Sequence, residues 1–484
     1  MEINNGHTFQ AEEGDRLSNL PDDILLDILA RLNISTVAKT SALSTRWRHL
    51  PWQLTKLDLD VAEFLHAPVF NSITTVHMDQ AMSALTKAAT SLLSVPQRDT
   101  SIRNLGLKLY MMDSYSSNIG SVLSQAIEAG IVKELDLAVL HEKRHIDCND
   151  DDMLHQARAV KVFAGVFPRV IHCITRLSLY NVRLDGDIHH IIFDCCTQLD
   201  YLSLEHCDDG SRAVWKINAP NSKLRHLELA VCFFGRLDLV CLPKFEYIYW
   251  EIWFTPYAPL SFRSVPSLRE LRLSCPAQSD FQGFKLSKVL QGVPNLHTLT
   301  IDFQGEKLWM QPEQKQICPA FNNLKKLSIL CIHVEFDLLW TIILLEAAPS
   351  VELLCIDTWE HVCLVNKEDE DGRKLVYGET THPSWEISEF TGTRNWQLKE
   401  LQFTGFRPLK QQLVFLKAIM EQARNLQTVI LKEEEPCEDC EALGTPLSCI
   451  KDHDFPKSKD EQDNVVEQLR EKISSDSQII FQCL

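Results

Sequence analysis

A short apolar phrase returns along most of this chain and limits the folds that the chain can adopt. It places apolar residues at its first, fourth and sixth positions, as in Leu199, Leu202 and Leu204. Between Leu177 and Leu354 the central apolar residues of successive copies lie 21 to 28 residues apart. A period of this length is typical of arrays in which each unit contributes one strand. No unit can bury its own apolar face, so neighbouring units must stack.

Thirteen copies of the phrase can be traced along the chain, and they predict an α/β fold. We expect a curved leucine-rich repeat solenoid with a parallel sheet on its concave face. Longer gaps after the copies centred on Leu57, Leu135 and Leu354 indicate insertions. The copies are Leu54/Leu57/Leu59, Ile102/Leu105/Leu107, Val132/Leu135/Leu137, Ile174/Leu177/Leu179, Leu199/Leu202/Leu204, Leu224/Leu227/Leu229, Phe245/Ile248/Trp250, Leu268/Leu271/Leu273, Leu296/Leu299/Ile301, Leu324/Leu327/Ile329, Val351/Leu354/Ile356, Leu398/Leu401/Phe403 and Leu426/Val429/Leu431.

The segment from Asp15 to Asp60 differs from the array and predicts three short helices. Pro21 suits the first turn of a helix, where its missing N–H is no loss. Ser35 is expected to cap the second helix, and Trp47 is the large apolar residue of the third. The apolar stripe of the first helix consists of Ile24, Leu25, Ile28, Leu29 and Leu32. This stripe is wide for so small a core, so one of its edges needs a partner's groove. The alternative is a helical cap that covers the end of the array.

The order of residues in this segment resembles the F-box in its plant form. Leu-Pro-x-x-Ile-Leu begins at Leu20, and Thr-Ser-x-Leu-Ser-x-Arg-Trp-Arg begins at Thr40. The resemblance implies docking onto the Skp-type adaptor of an SCF complex, which in turn holds a cullin. The sequence Leu-Pro-Trp from Leu50 departs slightly from the Leu-Trp that often ends this motif. The matching positions that would contact the adaptor as a set are Leu20, Pro21, Ile24, Leu25, Ile28, Leu29 and Trp47.

The C-terminal stretch from Asn395 to Leu431 resembles the FBD region that plant F-box proteins carry after their repeats. By pattern it is strand, helix and strand, and it would close the exposed end of the array. A further helix around Val465 and Leu469 and a final strand from Gln478 to Gln482 are predicted. The expected domains are a disordered segment at 1–14, the F-box at 15–56, the solenoid at 57–394 and an FBD-like cap at 395–484.

Composition and charge exclude several classes of protein. The formal net charge of −18 argues against a nucleic-acid partner, because phosphate binding needs clustered Lys and Arg. The longest apolar run, Leu338 to Leu345, is too short to span a bilayer, so we expect no membrane association. The 16 cysteines are scattered, which favours a reducing compartment, cytoplasmic or nuclear. No phosphate-binding or dinucleotide motif is present, and no cofactor is expected.

Two patterns could indicate a metal site. His141, Glu142 and His145 fit H-E-x-x-H, which binds zinc only when both histidines share one face of a helix. Here the pattern directly follows a strand and runs into the acidic segment 147–152, which favours a charged loop instead. Cys437 and Cys440, with Cys449 and His453, form a conceivable Cys3His set, although incidental loop cysteines are favoured. The expected metal ligands are therefore none.

Alternate strand residues should point away from the core and offer a binding face. Tyr201, His226, Tyr247 and Tyr249 occupy such positions in adjacent units, with Trp253 nearby. Aromatic residues of this kind dominate binding hot spots, so these five are the predicted substrate contacts. The alternative is that the rings only pack on each other and on terminal loops.

Cys207 and Cys232 follow the last strand leucine of their units by three residues. At that position we expect them to satisfy the backbone of the turn rather than to react.

The resemblance to plant F-box proteins with leucine-rich repeats implies a non-catalytic substrate-recognition subunit of an SCF-type ubiquitin ligase, whose solenoid binds a protein substrate. Two alternatives remain open. One is a non-degradative interaction scaffold, and the other is a zinc hydrolase that uses His141, Glu142 and His145.

Overall fold

The computed structural model divides the chain into two compact units. The first comprises Met1–Ser178 with Cys195–Gln198, and the second comprises Leu179–Asp194 with Leu199–Leu484. The residues described are 20–65, 74–93, 100–255, 257–276, 284–305, 308–310, 319–334, 336–359, 396–434, 455–471, 473 and 475–483.

The first unit begins with three short helices, α1 Asp22–Leu29, α2 Ile34–Thr40 and α3 Thr45–His49, followed by a 3-10 turn Leu50–Gln53. Asn33, rather than the predicted Ser35, caps α2, because its side chain accepts a 2.8 Å hydrogen bond from the backbone N–H of Thr36. The Ser44 side chain caps α3 in the same way.

Parallel strands and long helices alternate in the rest of the first unit. The strands are β1 Lys56–Asp60, β2 Ile102–Tyr110, β3 Val132–Leu140 and β4 Ile174–Tyr180, adjacent in that order. The last two residues of β4, Leu179 and Tyr180, belong to the second unit. The helices are Thr75–Leu93, Asp113–Glu128, Asp150–Val166 and Pro168–Cys173, with 3-10 turns at Val61–Phe64 and His145–Asp147.

The helix Asp150–Val166 begins inside the acidic segment that we expected to be loop. Asn149 and Asp152 form a reciprocal capping box at its start. Three aspartates in the first turn face the positive end of the helix dipole, which stabilises the helix rather than breaking it. The insertion after Leu57 likewise contains a regular helix, Thr75–Leu93.

The second unit carries the remaining strands. They are β5 Tyr201–Glu205, β6 Val214–Asn218, β7 His226–Ala230, β8 Arg236–Cys241, β9 Tyr247–Glu251, β10 Leu260–Ser264, β11 Glu270–Ser274, β12 Thr298–Asp302, β13 Lys326–His333, β14 Leu353–Trp359, β15 Glu400–Thr404, β16 Thr428–Lys432 and β17 Gln478–Gln482. Its helices are Gly186–His190, Leu286–Val289, Thr341–Ala347, Lys410–Gln422 and Lys459–Arg470, with a π-helical turn Ile191–Cys195 and a 3-10 turn Pro319–Asn323.

Ten of these strands form one parallel sheet in the order β5-β7-β9-β11-β12-β13-β14-β15-β16-β17. The central and last apolar residues of all thirteen phrases are 4% exposed or less. Burying a leucine completely contributes about 1.5–3 kcal/mol, so these residues form the main core of the array. The predicted fold class, short N-terminal helices followed by repeats with a parallel sheet, is confirmed.

A second sheet, which the sequence did not reveal, covers the other side of three consecutive repeats. It consists of β6, β8 and β10, also parallel. Trp215 on β6 stacks on Phe234 at 4.9 Å between ring centroids, and Phe234 contacts Trp250 of β9. The repeats of β5, β7 and β9 therefore have strands on both sides of their core.

The ends of successive strands are joined by a repeated backbone feature. Asn181, His206, Val231 and Ile252 have φ between 50° and 53°, a left-handed conformation that is unusual for β-branched residues. The N–H of each donates to a carbonyl at the end of the next strand, as in Val231 N–H to Glu251 O at 2.9 Å. These hydrogen bonds between successive repeats hold the left-handed conformation at all four positions.

The two cysteines with a predicted structural role, Cys207 and Cys232, lie next to these positions in the chain. The thiol of Cys207 donates to Leu179 O and that of Cys232 to Leu204 O, at 3.4 and 3.2 Å. Both are fully buried, and burial raises the pKa of the Cys207 thiol to about 12. The prediction that these cysteines satisfy the turn backbone is confirmed.

Candidate functional site

The F-box segment separates its predicted contact residues into a buried and an exposed group. Leu25, Leu29 and Trp47 are 0%, 1% and 4% exposed and form the core of the three helices. Ile24 is 42% exposed, Pro21 is exposed, and Leu20 and Ile28 are partly exposed. The buried residues can support an adaptor site only by holding the helices in place, whereas the exposed ones can touch a partner.

Two further leucines of this segment are exposed, although neither belongs to the predicted set. Leu43 is 66% exposed, in the turn before α3, and Leu32 is 41% exposed after α1. Leu43 lies inside the Thr-Ser-x-Leu-Ser motif, and that position was the available signal for adding it to the candidate contacts. We call Pro21, Ile24, Ile28, Leu32 and Leu43 the exposed F-box set.

Arg46 fixes the geometry of the F-box segment. Its guanidinium donates to Asp22 Oδ1 from Nε at 2.8 Å and from Nη2 at 2.5 Å, and Nη2 also donates to Leu20 O at 2.6 Å. These bonds connect α3 to the start of α1. They hold the start of α1, next to Pro21 and Ile24, against α3.

In the second unit, the alternate side chains of β5, β7, β9 and β11 form one face, which we call the tyrosine–carboxylate face. Register places Tyr201 beside His226 and His226 beside Tyr247, with ring centroids 6.5 and 5.7 Å apart. The residues of this face are Tyr201, Ser203, Glu205, His226, Glu228, Ala230, Tyr247, Tyr249, Glu251, Glu270, Arg272 and Ser274. The structure thus brings together four of the five predicted substrate contacts.

Trp253, the fifth, does not share this face. It is fully buried, and its ring packs edge-on against Trp309 at 4.9 Å between centroids. The cause is the left-handed backbone at Ile252, which ends the strand alternation and turns the next side chain inward. The prediction of Trp253 as a surface contact is therefore wrong.

Tyrosine hydroxyls hold several carboxylates of the face in position. Tyr201 donates to Glu228 Oε2 at 2.6 Å across two strands. Tyr249 makes a hydrogen bond to Glu251, and burial together with the nearby Glu251 carboxylate raises the pKa of the Tyr249 phenol. Burial and the Glu228 charge raise the pKa of Tyr247 to about 12. The phenols of Tyr247 and Tyr249 therefore stay protonated at neutral pH.

Arg272 shows how the face accommodates a cation. Its guanidinium carbon lies 4.8 Å from the centroid of the Tyr249 ring, within cation–π distance. One of its terminal nitrogens is 3.6 Å from Asp302 Oδ2 on the neighbouring β12. A tyrosine ring and a carboxylate together bind the one arginine of this face.

The H-E-x-x-H pattern does not form a helical metal site. His141 follows β3, its Nδ1 accepts a 2.9 Å hydrogen bond from the Lys143 N–H, and His145 begins a 3-10 turn. Without an α-helix, His141 and His145 do not lie one turn apart on a common face. In the part of the chain that the structure describes, no three His, Cys, Asp or Glu residues are grouped to hold a metal. Cys437, Cys440, Cys449 and His453 lie outside that part.

Comparisons with known proteins agree with both segments. A family model of the F-box domain matches residues 17–51. A second model, the LRR domain described as At1g61320/AtMIF1, matches residues 97–475, more than half of the chain. The chain belongs to this leucine-rich repeat family. The F-box/LRR assignment is thereby confirmed, and neither matched model is that of a catalytic family.

Relatives of this F-box/LRR chain occur in Arabidopsis thaliana. The F-box/LRR-repeat protein At2g42720 is 24% identical over 72% of this chain and 79% of the relative. The putative FBD-associated F-box protein At5g44940 is 24% identical over 65% of this chain and 76% of the relative. The FBD name thus occurs among relatives, while the FBD-like region at 395–484 and the other domain limits stay predictions.

A solved structure, the crystal structure of the TLR13–ssRNA13 complex, matches at a TM-score of 0.34 and 13% identity. The match covers 69% of this F-box/LRR chain and 43% of that chain. Among the described residues, the helices are all too short or too polar to cross a bilayer.

Proposed function

We propose that this chain is the substrate-recognition subunit of an SCF-type ubiquitin ligase. The observation that carries the proposal is the exposed F-box set, a group of apolar side chains that lie open to solvent within the residues that match the F-box model. Leu43 and Ile24 are 66% and 42% exposed. A partner that covers such apolar side chains lowers the free energy of the system, because apolar surface is removed from water. F-box domains generally bind Skp-type adaptors, and through such an adaptor the chain would reach a cullin.

The mechanism that we propose is proximity. The F-box attaches the chain to the ligase, and the repeat region binds a protein substrate near a ubiquitin-conjugating enzyme. Tethering raises the effective concentration of substrate lysines without any acid–base chemistry in this chain. The proposed location is the cytoplasm or the nucleus, where cullin-based ligases operate.

The adaptor step is tested with the full chain and a purified Skp-type adaptor. We expect the double variant Ile24→Asp/Leu43→Asp to weaken adaptor binding at least tenfold, roughly 1.4 kcal/mol, because each aspartate would have to be desolvated at the interface. The matched control is Val162→Asp, since Val162 is 65% exposed on the helix Asp150–Val166. Equal binding of the double variant and the control would overturn the proposed docking surface, provided that circular dichroism shows both folded.

The ligase step needs a separate assay. The reconstituted complex should transfer ubiquitin to a co-purifying protein, and the transfer should disappear with the Ile24→Asp/Leu43→Asp variant. Adaptor binding without any ubiquitin transfer would instead indicate a non-degradative scaffold.

A further inference from the structure

The tyrosine–carboxylate face is acidic as well as aromatic. Its twelve outward positions include four carboxylates, on Glu205, Glu228, Glu251 and Glu270, against a single arginine, Arg272. The Asp302 carboxylate on β12 lies beside that arginine. Carboxylates of four adjacent strands, clustered on one face, attract a cationic partner and repel an acidic one.

Three of the four carboxylates are held by hydrogen bonds from tyrosines. The Tyr201 hydroxyl donates to Glu228, and the phenols of Tyr180 and Tyr249 make hydrogen bonds to Glu205 and Glu251. Each such bond uses one of about four acceptor sites on a carboxylate and leaves the others for incoming donors. The receptor side of an ion pair is therefore ordered before a partner arrives, which reduces the entropy lost on binding.

The contacts of Arg272 indicate which groups the face accepts. This side chain lies over the Tyr249 ring and beside the Asp302 carboxylate. A lysine or arginine from another chain could contact the same two kinds of group, an aromatic ring and a carboxylate, at positions that Arg272 does not occupy. The Tyr201 and Tyr247 rings flank His226, and the Glu228 carboxylate accepts a hydrogen bond from the Tyr201 hydroxyl. Ring faces and carboxylates together bind guanidinium and ammonium groups better than either does alone.

From charge complementarity and this internal precedent, we infer that the tyrosine–carboxylate face binds a basic protein segment, one that carries several lysine or arginine side chains. Three strand spacings of about 4.8 Å separate β5 from β11, so the carboxylates extend over a width of roughly 14 Å. One small cation reaches only part of that width, whereas a polypeptide segment presents several cations across it. This inference rests on the proposed function and names the class of its substrate.

The experiment uses the full chain co-purified with the adaptor and two fluorescent peptides, one alternating lysine and serine and the other alternating glutamate and serine. Fluorescence anisotropy should show at least about tenfold tighter binding of the lysine peptide at low salt, and the difference should shrink as salt screens the charges. Equal affinities for the two peptides would overturn the inference.

A matched pair of double variants separates this face from the general negative charge of the chain. Glu228→Gln/Glu251→Gln keeps an amide oxygen for each tyrosine hydroxyl and should weaken binding of the lysine peptide about tenfold. Asp463→Asn/Glu467→Gln removes the same charge from an exposed helix surface and should change it less than about twofold. An equal loss of affinity for the lysine peptide in the two double variants would overturn the inference.

A third variant works in the opposite direction. Arg272→Gln removes the internal cation and frees the Tyr249 ring, so the lysine peptide should bind about threefold more tightly. Weaker binding would contradict the inference, and this outcome does not depend on whether the glutamine variants fold. The peptide assay involves no ubiquitin. Peptide binding without ubiquitin transfer would therefore refute only the proposed function, and ubiquitin transfer without peptide preference would refute only the inference.

Discussion

The hydroxyl of Tyr201 on β5 donates a 2.6 Å hydrogen bond to the carboxylate of Glu228 on β7, the neighbouring strand. The bond joins two side chains that the main-chain register does not place opposite each other, since Tyr201 lies beside His226. It therefore fixes the tyrosine ring diagonally across the tyrosine–carboxylate face. The stability of this face and the recognition that we propose for it would both depend on this contact.

Tyr201→Phe removes this hydrogen bond and leaves the ring in place. We expect the free energy of unfolding to fall by about 1 kcal/mol, because a partly buried hydrogen bond to a charged acceptor is lost. Urea denaturation followed by fluorescence measures the change. Tyr257→Phe is the control, since Tyr257 is 67% exposed and the same substitution there should have almost no effect. Equal effects at the two positions would contradict the assignment of a stabilising role to the bond.

The F-box residues should separate into those that fold the segment and those that contact a partner. Trp47→Ala should destabilise the three helices by about 3–5 kcal/mol, because it leaves a cavity where a side chain is 4% exposed. Leu43→Ala should cost less than about 0.5 kcal/mol and yet weaken adaptor binding. Thermal unfolding and adaptor titration together give the answer. The separation is refuted if Trp47→Ala leaves stability unchanged or if Leu43→Ala leaves adaptor binding intact.

Val231 has φ of 50°, which is unfavourable for a β-branched residue. Asparagine tolerates this conformation, so Val231→Asn should raise the free energy of unfolding by about 1 kcal/mol. Val214→Asn on β6 is the comparison, because Val214 is 39% exposed and lies in a regular strand where asparagine is unfavourable. Destabilisation at both sites would show that Val231 contributes more by packing than it loses by strain.

Asp357 gives the protein a pH dependence of known sign. Burial and the negative charges of Glu434 and Asp302 raise its pKa from the ordinary range to about 7. Between the unfolded pKa near 4 and this value the folded state binds the extra proton, so the stability contributed by Asp357 falls as pH rises to 7.

Asp357→Asn removes the titrating carboxyl group and with it the loss of stability between about pH 4 and pH 7. Relative to the parent chain, the variant should gain about 3 kcal/mol in unfolding free energy between pH 4.5 and pH 8. Urea denaturation at both pH values measures it, with the exposed Asp463→Asn as control. A constant difference between parent and variant across this range would refute the raised pKa.

The sequence predicted the main sheet because its signal is repeated. Leu202, Leu227 and Ile248 recur at nearly constant spacing, and each lies in a buried strand position. Strand alternation also placed Tyr201, His226, Tyr247 and Tyr249 on one face. The same alternation gave the wrong face for Trp253, because the preceding residue, Ile252, has a left-handed backbone. Isoleucine rarely adopts this conformation, so the sequence did not indicate it.

The second sheet escaped prediction for a different reason. Val214–Asn218 is only five residues long, and so short an alternation of apolar and polar residues also occurs in loops. The segment is recognised as a strand only because it pairs with β8, which in turn pairs with β10. The helix that begins at Asp150 was not predicted, because its acidic residues were judged only as unsuitable for a buried core. In the first turn of a helix the same residues are favourable. The separation of the F-box positions into buried and exposed ones depends on tertiary packing, which spacing alone does not give.

The strands β6, β8 and β10 have a mechanical consequence. A repeat that is hydrogen-bonded to its neighbours along one edge can hinge about that edge, but one bonded along both edges resists flexing in either direction. Three of the four strands that display the tyrosine–carboxylate face, β5, β7 and β9, belong to such doubly bonded repeats. A partner bound on this face would therefore have to adapt its own shape to a rigid surface whose charges keep their spacing.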